Sequence, residues 1–196
     1  LDIFERYLEA WLPVFIQSNN FDRVLICDFF SGSGSDTKGT PGSPLRILRT
    51  IQKYQDKITD KRMRIHIVFN DLELGKATKL KTLLSDEAKT IRNRLNQLVS
   101  VECHADDFQE LFQKQKSDFT NQPNLIFLDQ YGVKEVNESV FRSLISFDKT
   151  DFLFFISSSY LRRFARENCF RTYFPDLDPN KLINAKHENI HRVILE

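Results

Sequence analysis

The sequence has few cysteines and no long apolar run. Its three cysteines lie far apart and form no CxxC pair, which excludes a disulfide framework and a zinc site of the usual spacing. No apolar stretch reaches the roughly 18 residues that a membrane span needs. The charged residues near the start of the chain are unlike those of a signal peptide. We therefore expect a cytoplasmic protein without a bound metal.

An excess of charge of either sign is also missing. The formal net charge is +1, so no global field indicates a nucleic acid or an acidic membrane as partner. The 196 residues, 41% of them hydrophobic, are enough for one α/β domain and few for two. We predict a single domain over residues 1–196. The chain opens on Leu1 and ends after the apolar run 193–195, typical of a truncated strand, so we expect a fragment of a longer protein.

Five short apolar runs predict a parallel sheet. They are rich in Val, Ile, Leu and Phe without alternation, which is typical of strands covered on both faces. The segments between them leave room for a right-handed helical crossover each. We predict an α/β, Rossmann-like doubly wound fold, mostly parallel, with strand order 3-2-1-4-5 and helices on both faces. The predicted strands are 23–29, 64–69, 99–104, 124–128 and 151–156.

Four segments outside the strands predict helices. The first is an N-terminal amphipathic helix within residues 1–20, whose apolar residues recur near every 3.6 positions. The second starts at Ser43, which we expect to cap the helix, with Pro44 in the first turn. We expect this helix to reach about residue 57. The remaining two are predicted over 86–98 and 136–146.

Glycine is scarce except after the first strand. Four of the six glycines lie in the loop 31–42, which is about twice the usual connection length. The strand runs into the motif DxFxGxG, where glycines let the backbone approach a ligand, at the topological switch point of a doubly wound sheet. We predict that this loop binds a nucleoside cofactor; the alternative is a tight strand-to-loop turn. The motif residues are Asp28, Phe30, Gly32 and Gly34.

Two other phosphate-binding motifs fit this loop poorly. A phosphate loop needs lysine after its last glycine, whereas Lys38 precedes Gly39 here. A dinucleotide motif needs a third glycine that opens a helix, but Thr37 stands in its place. Both an NTPase and a dinucleotide-binding protein are therefore disfavoured.

Acids follow the second and third strands. Asp71, our first choice, and Glu73 are suited to accept the two hydroxyls of a ribose. Asp106 and Asp107 are suited to an adenine amino group, with Phe108 as a stacking ring. Each acid alone is more often a solvated strand end, so the prediction rests on their recurrence at one edge of the sheet.

The fourth strand ends in LDQYG. With the predicted strand order, Asp129 faces the glycine loop across the crevice. Asp129 can orient an amine that receives a methyl group, and Tyr131 can stack on a planar ring. The alternative is a capped turn, because Asp and Gly are common turn residues.

Together, the segments DFFSGSG, GSP, FNDLE, LDQYG and ISSSYLRRF resemble the three-Cys-motif partner family, TcmP, over roughly residues 3–164. The resemblance implies a class I methyltransferase-like fold, S-adenosylmethionine (AdoMet) as cofactor and a three-Cys-motif partner protein. LDQYG also resembles the DPPY-type motif of amino-methyltransferases, with Gln130 where proline is usual. By resemblance, AdoMet is lined by Asp28, Phe30, Gly32 and Gly34, and the target meets Asp129 and Tyr131.

Arginines alternate with aromatic residues between 160 and 174. This pattern predicts a surface around Arg162, Arg163 and Arg166 that binds a nucleic acid substrate. The alternative is a set of helices with aromatics inward and arginines in water. Two functions stay open: an AdoMet-dependent methyltransferase, acting on the amine of a nucleic acid base, and a non-catalytic nucleoside-binding subunit of a partner protein.

Overall fold

A five-stranded parallel sheet organises the fold. The computed structural model describes residues 1–95, 97–130, 132, 134–155, 157–167, 170–186 and 189–195. The strand order is β3-β2-β1-β4-β5, which confirms the predicted α/β, Rossmann-like doubly wound fold. The strands are β1 (Arg23–Asp28), β2 (Arg64–Asn70), β3 (Val99–His104), β4 (Asn124–Leu128) and β5 (Thr150–Phe154).

Helices precede, connect and follow the strands. They are α1 (Asp2–Gln17), α2 (Ser43–Lys53), α3 (Gln55–Lys61), α4 (Leu74–Leu95), α5 (Phe108–Gln115), α6 (Glu138–Ile145), α7 (Ser158–Phe164), α8 (Phe170–Tyr173), α9 (Pro179–Asn184) and α10 (Ile190–Leu195). In the described part of the chain, every helix is too short or too polar to cross a membrane.

Two helix predictions and one strand prediction need correction. The helix predicted over 43–57 is interrupted at Tyr54, whose φ of −104° and ψ of 11° separate α2 from α3. The helix predicted from residue 86 begins at Leu74. The run 193–195 lies in α10, so its assignment to a truncated strand is wrong.

Ser43 is not the cap of α2. Gly42 occupies that position, and the Ser43 hydroxyl instead donates a hydrogen bond to the Asp28 carboxylate. A buried carboxylate needs hydrogen-bond donors more than the first turn of a helix needs an extra acceptor, because an unpaired buried charge costs several kcal/mol. The side chain of Ser43 therefore joins the start of α2 to the end of β1.

Helices cover both faces of the sheet, as predicted. On one face, Val24 and Ile26 of β1 join the main hydrophobic core with buried residues of α1, α2, α3 and α4. The side chains alternate along a strand, so Phe29, just after β1, lies on the other face. Its ring centroid is 5.3 Å from that of Phe108 and 6.1 Å from that of Phe112, both in α5.

The outer strands differ from the central ones. Five of the six residues of β1 and all five of β4 are buried, whereas β3 consists of half-buried and exposed residues, with Val101 38% exposed. In β5, too, the residues are half-buried or exposed. The prediction that all strands are covered on both faces is therefore wrong for β3 and β5, which form the two edges of the sheet.

The chain divides into two compact units. The first comprises Leu1–Asp129 and Phe147–Leu153, and the second Gln130–Ser146 and Phe154–Glu196. The second unit has a small hydrophobic core of its own, formed by Leu161, Ala165, Phe170, Leu182 and Ile190. The single-domain organisation over residues 1–196 stays a prediction.

Candidate functional site

The glycine loop is an ordered hairpin. Ser35 and Pro41 pair as an antiparallel bridge, and the Gly42 amide donates a 2.8 Å hydrogen bond to the Gly34 carbonyl. At the tip, Asp36 Oδ1 accepts hydrogen bonds of 2.8 Å from the backbone amides of both Lys38 and Thr40. We call residues 31–42 the glycine hairpin. Its length therefore reflects a local fold of its own.

Gly32 and Gly34 serve the hairpin in different ways. Both have positive φ, 62° and 85°, a region that residues with a Cβ rarely adopt. A Cβ on Gly34 would lie 2.8 Å from a methyl carbon of Leu80 and of Leu83 in α4, whereas a Cβ on Gly32 would have no atom within 4 Å. Gly34 thus permits packing against α4, and Gly32 leaves space that a ligand can approach.

The Asp28 carboxylate is fully buried. It accepts hydrogen bonds from the Ser43 hydroxyl at 2.5 Å and from the Phe30 amide at 3.2 Å. Burial raises the pKa of Asp28 to about 7; the hydrogen bonds oppose this rise, and the negative charges of Asp129 and Asp71 add to it. Asp28 therefore holds the end of β1 to the start of α2 and presents no oxygen to solvent.

Asp71 links the hairpin to the end of β2. Its Oδ2 accepts a 3.1 Å hydrogen bond from the Gly32 amide, and its Oδ1 accepts one of 2.9 Å from the Glu73 amide. The Asp71 side chain is half-buried, whereas Glu73 is exposed and forms a 2.6 Å ion pair with Lys76. Of the two acids proposed for the ribose, Asp71 is the one that contacts the glycine hairpin.

Asn70 ties three strand ends together and was missed in the sequence. Its amide nitrogen donates to the carbonyls of Phe29 and Asp106, and its Oδ1 accepts from the Asp106 amide at 3.0 Å. Its carbonyl accepts the backbone amide and the hydroxyl of Ser31. A polar residue that ends an otherwise apolar strand was the only sequence signal for this role.

The acids after β3 differ in their surroundings. Asp107 is the N-cap of α5, where Oδ1 accepts the amides of Gln109 and Glu110. The Asp106 side chain is half-buried. Phe108 is 3% exposed and its ring lies 5.1 Å from that of Phe30, so the prediction of Phe108 as a stacking ring for a ligand is wrong. Phe30, half-buried at the start of the hairpin, is the more accessible ring.

Asp129 follows β4, which pairs in parallel with β1. The carboxyl ends of these two strands lie at the same edge of the sheet, so the structure brings Gly32, Asp71 and Asp129 to one edge. The Asp129 side chain is exposed, and its charge is one of those that raise the pKa of Asp28. Tyr131 lies outside the described residues.

Gln130 stands where an amino-methyltransferase motif has proline. It is buried, and its Oε1 accepts hydrogen bonds of 3.0 Å from the amides of Glu135 and Val136. The side chain of Gln130 therefore shapes the loop that precedes α6.

In the second unit, two of the aromatic residues belong to the core, whereas the arginines are exposed. Phe170 is buried and Phe174 packs against the same core, as in the alternative with aromatics inward. The ring centroids of Tyr160 and Phe164 lie 4.4 Å apart with their planes tilted by 40°, and the Arg163 guanidinium is 5.5 Å from the centroid of the Phe164 ring. Four arginines are exposed, and we call them the arginine surface: Arg162, Arg163, Arg166 and Arg171.

Within the described ranges, His, Cys, Asp and Glu side chains form no cluster suited to a metal ion. No protein-family model matches the sequence, and no curated protein matches it.

Proposed function

We propose that the chain is an AdoMet-dependent methyltransferase-like protein of the TcmP type, with its cofactor at the carboxyl edge of β2, β1 and β4. One observation carries this proposal: Asp71 accepts the amide of Gly32, which fixes a half-buried carboxylate against a glycine-rich turn at the switch point of a doubly wound sheet. That combination suits a nucleoside.

The residues at this edge fit an adenosyl group. A carboxylate offers about four acceptor positions, and Asp71 uses two of them, for Gly32 and Glu73. The remaining two are available to a pair of ribose hydroxyls. The open space around Gly32 admits the ligand, and Asp106 is placed after the next strand for a base amino group. When bound, AdoMet supplies an electrophilic methyl group.

The other residues orient the target. Methyl transfer demands alignment and exclusion of water more than acid-base chemistry, in keeping with an edge that offers carboxylates. The exposed Asp129 carboxylate accepts a hydrogen bond from the amine to be methylated, which we propose belongs to a nucleic acid base. Asp28 acts from within the fold, through Ser43 and the Phe30 amide.

Calorimetry with AdoMet, ATP and NAD tests the cofactor. We expect heat of binding with AdoMet alone, and affinity at least about tenfold lower in Asp71→Asn, because a charge-assisted hydrogen bond is lost. Asp60→Asn removes an exposed carboxylate of α3 as matched control and should bind normally. An absence of heat with AdoMet would reject the proposal.

Transfer is tested with tritium-labelled AdoMet and pooled RNA, DNA and protein. Label should enter the nucleic acid fraction, and Asp129→Ala should lower the rate by at least about a hundredfold, the size of a lost transition-state hydrogen bond. Its AdoMet affinity should stay within about twofold of the original. Undiminished transfer by this variant would reject the role of Asp129.

Gln130 favours a second candidate, a non-catalytic nucleoside-binding subunit. Its amide oxygen is used by two backbone amides, so the residue after Asp129 serves the loop and not a target. This candidate predicts AdoMet binding and stable co-purification with a three-Cys-motif protein, without label in any fraction. Transfer in the absence of a partner would exclude it.

A further inference from the structure

The arginine surface carries positive charge that the described residues do not neutralise. Arg162 lies in the last turn of α7, which ends at Phe164, and Arg166 follows two residues later. Neither forms an ion pair with an acid in the described ranges, and Glu167, exposed beside them, lies in no ion pair there either. Exposed arginines without an ion pair in the described ranges are suited to an anionic partner.

The arginines lie next to residues of a buried core. Leu161 and Ala165, which alternate with the arginines along the chain, are buried in the core of the second unit. Arg171 belongs to α8, where Phe170 fills the same core. Leu161, Ala165 and Phe170 therefore face inward, and the arginines beside them face solvent.

The use of arginine without lysine indicates the chemical class of the anion. All cationic residues between 158 and 174 are arginines, with no lysine among them. A guanidinium presents a planar fork that matches phosphate oxygens in bidentate geometry, whereas lysine acts as a point charge. We propose that the arginine surface binds the phosphate backbone of a nucleic acid, independently of base sequence. As an assignment of substrate class this rests on the proposed methyltransferase function, whereas the binding itself does not.

Binding is measured by fluorescence anisotropy of a short fluorescein-labelled single-stranded RNA titrated with the full chain. The affinity should fall steeply between about 50 and 200 mM salt, because contacts to phosphates release counterions. The double variant Arg162→Glu/Arg166→Glu should bind at least about tenfold more weakly. Loss of two contacts should lower the slope of log K against log salt by about 1.4.

A matched control separates local from global charge. Arg49→Glu/Lys114→Glu changes the net charge equally at two exposed positions of α2 and α5 and should bind within about twofold of the original chain. Equal weakening in the two double variants, or none in the first, would overturn the proposal. Arg162→Lys/Arg166→Lys retains the charge, so weakening here as well identifies the guanidinium geometry, and circular dichroism verifies that each variant is folded.

Competitors identify the class of partner. Unlabelled RNA should displace the probe, whereas polyglutamate and phosphatidylserine vesicles at equal charge should not. Displacement by polyglutamate as effective as that by RNA would indicate an acidic protein partner, and displacement by vesicles a membrane; either result overturns the proposal. Calorimetry with AdoMet on the original chain and the same variants distinguishes this proposal from the proposed function. If the chain binds RNA through the arginine surface but does not bind AdoMet, only the cofactor site is rejected.

Discussion

The carboxyl edge of the sheet and the arginine surface carry their charges in opposite ways. At the edge, Asp28 and Asp71 are wholly or partly buried and accept hydrogen bonds from Ser43, Phe30, Gly32 and Glu73. On the surface, the arginines extend into solvent over a small helical core. Residues at the carboxyl edge therefore both stabilise the fold and shape the candidate site. In the second region, we expect substitution of Arg162 and Arg166 to cost little stability.

Among the variants that test this difference, Asn70→Ala should lose the most stability. The variant leaves the buried carbonyls and amide at the ends of β1 and β3 without the partner that now serves them. We expect a loss of about 3 kcal/mol in the free energy of unfolding, measured by urea denaturation. Asn184→Ala, at an exposed position of the second unit, should change it by less than about 0.5 kcal/mol. Equal losses would contradict the contrast.

The second largest effect should be the dependence of stability on pH that Asp28 causes. Its pKa in the fold, about 7, lies above the ordinary 3.8, so the folded chain binds more protons than the unfolded chain between these values. Stability is therefore highest at low pH within this window and falls as pH rises. We expect a loss of about 2–3 kcal/mol between pH 5 and pH 8 from this group.

Asp28→Asn provides the control for that window. The amide keeps an acceptor for Ser43 but cannot ionise, so the decline attributed to Asp28 should vanish and the variant should match or exceed the stability of the original chain at pH 8. A decline of unchanged size in Asp28→Asn would assign it to another group.

Two glycines of the hairpin sharpen the comparison further. Gly34→Ala meets Leu80 and Leu83 at 2.8 Å, whereas Gly39→Ala, also at positive φ, meets no atom within 4 Å. The shared backbone strain is about 1 kcal/mol, and displacement of the leucines should add roughly another 1 kcal/mol in Gly34→Ala. Chemical denaturation of both variants measures the difference in stability. Identical midpoints would show that the leucines of α4 can be displaced without loss of stability.

The smallest effect is expected on the arginine surface. Arg162→Ala/Arg166→Ala removes two exposed side chains without an ion pair in the described ranges, so the free energy of unfolding should stay within about 0.5 kcal/mol. Thermal denaturation with and without RNA provides the measurement. A large loss of stability in the free chain would place these arginines among the structural residues.

Much of the fold follows from the sequence, because buried parallel strands are continuous apolar runs. The bounds of β3 and β4 are as predicted, and so is the strand order. The first three turns of α4 were not predicted. Gly75 stands near their start, and Leu72 and Leu74 are 70% and 71% exposed, so the apolar pattern there does not follow the buried face.

The candidate site also has a part that the sequence predicts and a part that it does not. Because parallel strands end at one edge, topology alone predicts that Gly32, Asp71 and Asp129 meet there. The bonds that hold this edge were not predictable: Ser43 reaches Asp28 across 15 positions and Asn70 reaches Asp106 across 36. A hydrogen bond between distant residues leaves no periodic trace in the sequence, and Ser43 before proline has the local pattern of a helix cap.

The bridge between Ser35 and Pro41 isolates the far end of the glycine hairpin from its base. Residues 37–40 are all exposed and lie beyond this bridge. Insertions or substitutions among them should therefore leave the backbone at Gly32 and Gly34 in place. The exposed Lys38 is therefore suited to carry a fluorophore, which under the proposed function would report the binding of a nucleoside at the base of the hairpin.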